Sequence, residues 1–423
     1  MSGAAWEMRP PADGAAARRT IEHLRSGVPL PVSEAPLQAG RARLAERAET
    51  ALDAVEQRGS RALVLQANYG DGKTHAMRLI WHLAARRRFV VSEITLTRET
   101  PFDRLDRVYP KLTADTYLPG AAQPGLERLV ADIASGSEPA RQLLKFAEDE
   151  LHPKLYGVIR NLIDGSSTEA TEVLLQDLAR MDLSLPDLKR IHRANFRAAL
   201  RAARFSAQRD ARDYFRLIDF LVRLNGLPGW VILCDEAELV GRLGRGGRAR
   251  AYANVGRLAT DGLGCRHVLT VFAVASNFQS TVLERRRDLQ LAPAWLEQRG
   301  DTEGAERCRI GMNTLQEAMP LDPLRPSEWV DVMRGVLAMH EAAYGWSAGM
   351  DADGLWREVQ RLAPATDTRL RTRVRLAIQW LDLLWQYGAP PHVQVHDIGE
   401  VAIEEEPDDA EAAAEAAAAR EPG

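Results

Sequence analysis

The sequence predicts an α/β fold with a parallel central sheet, a large helical insertion and a C-terminal helical lid. Three observations carry that expectation. Nearly continuous apolar runs at 63–65, 89–96, 229–236 and 267–277 alternate with helical patterns, which is how parallel strands covered on both faces read. Between Pro101 and Leu227 there is no strand pattern, only helical periodicity punctuated at Pro119-Gly120, Gly136, Gly165 and Pro186. From Ser327 onward the periodicity is purely helical.

Taken in order, residues 1–18 are rich in Ala, Gly and Pro and are expected to be flexible. Helical spacing starts at Arg19 and stops at Gly27-Val28-Pro29. A helix over 41–58 leads into the first strand, a glycine-rich turn follows directly, and then come a helix over 73–87 and a strand over 89–96. After the insertion, 101–227, the strand "GWVILCDE" precedes a helix that follows "GRLGRGGRAR"; then come the strand "HVLTVFAVASN" and a short last strand in "AMPLDPL". The lid helices are expected over 327–344, 351–362 and 368–387. The chain thus divides into a flexible start (1–18), a core with its insertion (19–325), a lid (326–390) and an acidic, low-complexity tail (391–423).

The 423 residues, 45% of them hydrophobic, suffice for ordinary cores. No apolar run approaches the roughly 20 residues of a membrane span, and "MSGAAWEMRPPADG" lacks a signal peptide's apolar stretch, so a soluble cytoplasmic protein is expected. Cys234, Cys265 and Cys308 are odd in number and widely spaced, which indicates neither a disulfide frame nor a zinc site. The formal charge of −4 is uneven: residues 400–423 hold nine acids and one Arg, leaving the rest mildly basic and compatible with nucleic acid. Of 55 basic residues only five are Lys, at 73, 111, 145, 154 and 189.

One of those lysines stands in "QANYGDGKTHAMRL" (66–79), between strand and helix. A phosphate-binding loop needs backbone N–H groups converging at a helix N-terminus, a lysine reaching the β and γ oxygens, and a hydroxyl on Mg²⁺. The candidate nucleotide-binding residues are Ala67, Asn68, Tyr69, Gly70, Asp71, Gly72, Lys73, Thr74 and His75. Gly70 and Gly72 relax the backbone, Lys73 is the cation and Thr74 supplies the hydroxyl. Lysine in a chain that otherwise uses arginine is informative, since a compact ammonium fits between phosphates where a planar fork does not. Ala67 stands where the usual pattern opens with glycine; that position starts the turn and does not touch the γ-phosphate.

The other half of such a site is a strand ending in carboxylates, and "WVILCDEAELV" provides one. Asp235 would hold Mg²⁺ together with Thr74, and Glu236 would polarise the attacking water. Glu238, two residues on, faces either solvent or a partner subunit. At the polar end of the next strand, Ser276 or Asn277 is a sensor candidate, Asn277 being preferred. In "TDTRLRTRVRLAIQWLD" one arginine of the last lid helix, Arg371 or Arg369, is the candidate that reaches the phosphates; the others read as a solvated face.

Within the insertion, Arg190, Arg193, Arg197, Arg201 and Arg204 fall at helical spacing. That stripe either tracks a DNA backbone or is a solvated face paired with acidic neighbours. His392 and His396, with Asp397 adjacent, sit in "HVQVHD", whose alternation reads as a strand that would hold the imidazoles about 13 Å apart, too far for one metal. No metal beyond nucleotide-bound Mg²⁺ is expected.

With loop, carboxylates, sensor strand and lid in this order, the chain resembles an AAA+ P-loop NTPase. More narrowly it is similar to the ATP-binding proteins of BREX-type phage-defence systems, the BrxC/BrxD-like group, through "IEHLRSGVP", "NYGDGKTHAMRLI" and "VILCDEAELV" with "RARAYANVGRL". Similarity of pattern runs from about residue 18 to 387, loosely over 101–225; where the family usually has Gly, this chain has Ala67. The resemblance implies ATP binding and hydrolysis, a homo-oligomer, and a role in defence against foreign DNA beside other system proteins. It also implies an adenine pocket before the first strand and an arginine finger, for which Arg285–Arg287, Arg299, Arg307 and Arg309 are candidates.

Overall fold

Five of the six strands in the sheet coincide with the apolar runs that the sequence marks. The computed structural model describes residues 14–26, 41–68, 70–165, 168–363 and 369–388. Its strands are β1 (Arg61–Ala67), β2 (Val90–Thr95), β3 (Thr116–Tyr117), β4 (Trp230–Asp235), β5 (Val268–Ala275) and β6 (Met319–Pro320), in the order β3-β2-β4-β5-β1-β6. All pairings are parallel except β3 with β2. β3 is a correction to the strand-free reading of the insertion. Its two residues give no periodicity, and the pairing is fixed by tertiary contact, with Ser92 and Thr116 hydroxyls 2.7 Å apart in the interior.

Before β1 lie α1 (Gly14–Ser26) and α2 (Ala42–Arg58); between β1 and β2 lies α3 (Lys73–Arg86). The insertion contains α4 (Leu105–Ala114), α5 (Arg128–Ala131), α6 (Glu138–Glu150), α7 (Pro153–Asp164), α8 (Thr168–Arg180), α9 (Leu185–Phe196) and α10 (Ala207–Leu224). After β4 and β5 come α11 (Arg245–Leu258), α12 (Asp288–Glu297) and α13 (Thr302–Gln316), and then α14 (Pro326–Tyr344), α15 (Ala352–Leu362) and α16 (Leu370–Tyr387).

The central strands β4 and β5 are buried on both faces, which is why their sequences are apolar without alternation. Leu65, Val91, Leu233 and Val271 face α2 and α3, meeting Leu44, Leu52, Ile80 and Leu83. Their neighbours Val64, Val90, Ile232 and Phe272 point the other way, onto Phe102, Leu105, Phe215 and Tyr252 of the insertion and α11. Helices α11 and α13 approach so closely that a Cβ on Gly311 would lie 1.9 Å from the Tyr252 carbonyl oxygen, and one on Gly256 equally near that of Arg307. Only glycine fits at these two crossings.

The N-terminal helix starts at Gly14, inside the segment expected to be flexible, because Ala17, Thr20 and Ile21 bury against the C-terminal helices. Arg25 adds a two-pronged bond to Asp382, at 2.7 and 3.0 Å. Thus α1 packs with α14, α15 and α16 around Trp329, Val336, Leu355 and Ile378, and not with the sheet. The acidic tail, His392 and His396 lie outside the described residues.

The basic stripe is not one helix face. α9 ends at Phe196, Arg197 turns left-handed (φ 52°, ψ 25°) with its N–H on the Arg193 carbonyl, and 198–206 are not helical. The break follows from burial of Leu200 against Gly157 of α7, which a continuing helix would carry elsewhere. Arg190 and Arg193 stay exposed on α9, Arg190 pairing with Asp187, while Arg197, Arg201 and Arg204 leave the helix.

The insertion has a polar heart of its own. Lys154 and Asp177 are ion-paired at 2.8 Å with side chains 1% and 0% exposed, and Asp177 also accepts from Tyr214 and the Leu183 amide. Among the described residues no helix is long and apolar enough to cross a membrane. Asp177→Ala would leave Lys154 buried without its counter-charge, so urea unfolding should show a loss of about 3–5 kcal/mol. The Lys154→Met/Asp177→Leu pair should lose much less.

Candidate functional site

Parallel registry sets the geometry of the site. Ala67 pairs with Ala275, and Thr95 with Asp235, so the loops after β1, β2, β4 and β5 leave the same edge of the sheet. Ala67 is the last residue of β1, 5% exposed, and its carbonyl accepts the Ser276 amide at 3.2 Å. Because this position is still strand, alanine's Cβ costs the turn nothing. Gly70 (φ 88°) and Gly72 (φ 93°) then take left-handed backbone that a side chain rarely adopts. A Cβ on Gly70 would meet Arg369 at 3.1 Å, and one on Gly72 would meet Leu370 at 3.0 Å. Asp71 closes the turn by accepting from the Asn68 amide and side chain at 3.2 and 3.0 Å. Tyr69 lies outside the described residues.

Gly72 is the N-cap of α3 and no side chain caps it, so the first-turn N–H groups of a 14-residue helix face the loop. In that first turn Lys73 is 7% exposed, and Thr74 and His75 are half-buried. The Thr74 hydroxyl donates to Asp235 Oδ2 at 3.0 Å, uniting the loop with the carboxylate end of β4. These two oxygens are the donor set a Mg²⁺ takes, hard and hydrated, and they fit that ion.

Asp235 also accepts the Glu236 amide at 2.8 Å, which holds Glu236 in left-handed backbone (φ 57°, ψ 33°) that costs about 1–2 kcal/mol for a residue with a Cβ. Burial, and then the nearby Glu238 carboxylate, raise the Glu236 carboxyl above the ordinary glutamate range, while Lys73 pulls it back. Glu238 does not face solvent. It sits in the 3₁₀ turn Ala237–Arg242 and accepts from Lys73 Nζ at 2.9 Å, so the lysine is ion-paired within the chain. Its two-residue spacing from Glu236 was the one sequence signal for this. Beside them Arg78 of α3 pairs with Glu93 of β2, whose carboxyl burial raises in spite of the arginine.

Of the two sensor candidates, Ser276 is the one tied to the loop, its hydroxyl donating to Asn68 and its carbonyl accepting from Gln66 at 2.6 Å. Asn277 follows it, exposed, with its carbonyl capping Thr281. Of the lid arginines, Arg369 lies against Gly70, and the Arg371 amide donates to the Gly70 carbonyl at 3.3 Å. Arg373 instead covers the stacked Trp329 and Trp356 rings, at 4.9 and 5.1 Å. Among the finger candidates, Arg307 donates to Thr260, Arg309 pairs with Glu297, and Arg299 lies over Trp295.

Sequence reading missed Arg41, which precedes α2 without any motif. It is 8% exposed and donates to the Asp71 carbonyl at 3.0 Å and the Asp322 carbonyl at 2.7 Å, joining the loop to the segment after β6. Beside it a cleft of about 490 Å³ is lined by Arg41, Asp71, Leu321, Leu324, Trp329 and Leu370. Among the described residues no group of three or more His, Cys, Asp or Glu is placed to hold a metal. The three cysteines are buried and free.

A family model described as BREX system ATP-binding protein BrxC/D matches residues 14–165 and 191–393, most of the chain. The stretch it passes over, 166–190, contains all of α8 and the first half of α9. No curated protein matches significantly. Among solved structures the chain is similar to the Walker-type ATPase PABY2304 of Pyrococcus abyssi, with 13% identity over 83% of this chain and 69% of that one and a TM-score of 0.36.

Arg41→Ala would release two backbone carbonyls at once, and hydrogen bonds to a charged group are worth about 1.5–3 kcal/mol each. Stability should fall by about 2 kcal/mol or more. Hydrogen exchange should show faster exchange at residues 70–74 than in the wild type, with the amides of β4 and β5 unchanged.

Proposed function

Since the chain belongs to the BREX system ATP-binding protein BrxC/D family, we propose that it binds ATP with Mg²⁺ at the loop between β1 and α3 and hydrolyses it in a bacterial anti-phage defence system. The single observation that carries this reading is the meeting of the Thr74 hydroxyl and the Asp235 carboxylate at 3.0 Å, beside a buried lysine at a helix N-terminus. Loop amides and Lys73 bind and orient the phosphates. Mg²⁺, when bound, would supply neutralisation of the phosphate charge. Thr74 and Asp235 would hold it.

Glu236 acts as the base for water. A carboxyl whose proton affinity is raised by burial and by Glu238 accepts a proton more readily than an ordinary glutamate does. Asn277, next to the Ser276 that bonds Asn68, orients that water. Arg371, with Arg369 beside it, reaches the phosphates from the lid when nucleotide draws loop and lid together. The cleft at Trp329 and Leu370 has room for base and ribose. Turnover then drives assembly or remodelling on DNA or on partner proteins, within an AAA+ type homo-oligomer. A second reading, a slow nucleotide-dependent switch, is favoured by one observation, the ion pair that occupies Lys73.

Lys73→Ala should abolish ATP binding. Glu236→Gln should bind ATP as the wild type does while turning over about 10²–10⁴-fold more slowly, and equal hydrolysis by the two proteins would sink the assignment of the base. Double-stranded DNA added to the wild-type assay should raise turnover if the protein is a DNA-linked motor and leave it unchanged if it is a protein-directed switch.

A further inference from the structure

The carboxylate on Lys73 is neither of the two that the hydrolysis mechanism uses. Glu238 Oε1 lies 2.9 Å from Lys73 Nζ, with the two side chains 18% and 8% exposed. The other oxygen, Oε2, is buried and has no hydrogen-bond partner among the described residues. The turn that carries Glu238 is anchored through buried Ala237 and Val240, and it follows directly on the left-handed Glu236. A carboxylate held this firmly on the lysine, with half its hydrogen-bonding capacity unused, is not a well-satisfied structural ion pair. It is an anionic oxygen in the position where a phosphate oxygen would meet the same ammonium.

We propose that Glu238 is an internal stand-in for a terminal phosphate oxygen: it holds Lys73 in the nucleotide-free chain, and ATP must displace it to bind. Glu238 therefore sets the affinity for the triphosphate and the discrimination between ATP and ADP. A diphosphate leaves the terminal position to the carboxylate, whereas a triphosphate takes its place. Glu236, whose carboxyl already feels the Lys73 charge, stays close to the ammonium either way, so Lys73 keeps a nearby counter-charge when Glu238 leaves. A cavity of about 110 Å³ behind the turn, lined by Leu96, Phe102, Leu239 and Leu243, gives the segment space to shift. This inference rests on the reading that the loop binds ATP.

The test is equilibrium binding of a non-hydrolysable ATP analogue and of ADP, each with Mg²⁺, to the full chain by calorimetry, for wild type, Glu238→Gln, Glu238→Asp and Lys73→Ala. Glu238→Gln keeps the shape and removes the charge; charge-assisted hydrogen bonds being about twice as strong as neutral ones, it should bind the analogue roughly tenfold more tightly. Its ADP affinity should change by less than about threefold, since that ligand lacks the competing terminal phosphate. Glu238→Asp keeps the charge on a shorter stem and should fall between wild type and Glu238→Gln. Without nucleotide, Glu238→Gln should melt below the wild type, and the analogue at saturation should close the gap. Wild-type binding with Glu238→Gln equal to it or weaker overturns the role of Glu238 alone. Failure of wild type and Glu238→Gln alike to bind the analogue overturns the nucleotide reading and this inference together.

Discussion

The parallel registry of β1, β5 and β4 is the constraint on which the rest of the molecule depends. Because Ala67 is level with Ala275, and β4 is bonded to β5 in phase, the loop glycines, Ser276 and Asp235 must emerge side by side. Parallel strands require long crossovers, and those crossovers cover both faces of the sheet with helices. The same arrangement that buries Val231–Leu233 and Leu269–Val271 therefore leaves one polar edge, where the loop glycines, Lys73, Thr74 and Asp235 gather.

At that edge the balance of charge is uneven. One buried ammonium, Lys73, is paired with Glu238, and both act on Glu236 together with Asp235. Like charges interact strongly there, which is why burial and Glu238 together raise the Glu236 carboxyl. A site with surplus negative charge suits a divalent cation and resists bare anions. Lysine here presents a single rotatable ammonium to one carboxylate oxygen, where arginine, this chain's usual cation, would bring a planar fork.

Loop and lid are mechanically joined although their cores are separate. The lid helices close around Trp329, Leu355 and Ile378 together with α1, a segment from the opposite end of the sequence. They reach the loop through a few contacts: Arg369 and Leu370 against Gly70 and Gly72, the Arg371 amide on the Gly70 carbonyl, and Arg41 from the other side. At both glycines the start of α16 approaches so closely that a side chain there would press on Arg369 or Leu370.

Much of this was determined by the sequence alone. The apolar runs, the glycines flanking Asp71, a lysine in an arginine chain and a strand ending in Asp235-Glu236 each follow from local chemistry, so β1, β2, β4, β5, the glycine turn before α3 and the C-terminal helices were legible without coordinates. What was not legible depends on residues distant in sequence. Thr116 pairs with Ser92 only because the insertion folds back on the sheet edge. The helix through Arg193 ends because Leu200 finds a buried place against Gly157. α1 is ordered by Asp382, some 357 residues away from its partner Arg25. Glu238 turns inward to Lys73, and Arg41 spans two carbonyls, because the tertiary structure decides which charged groups lose their water and must find partners. Periodicity and motif spacing report which residue types are present at the site; only packing determines which oxygen the lysine holds.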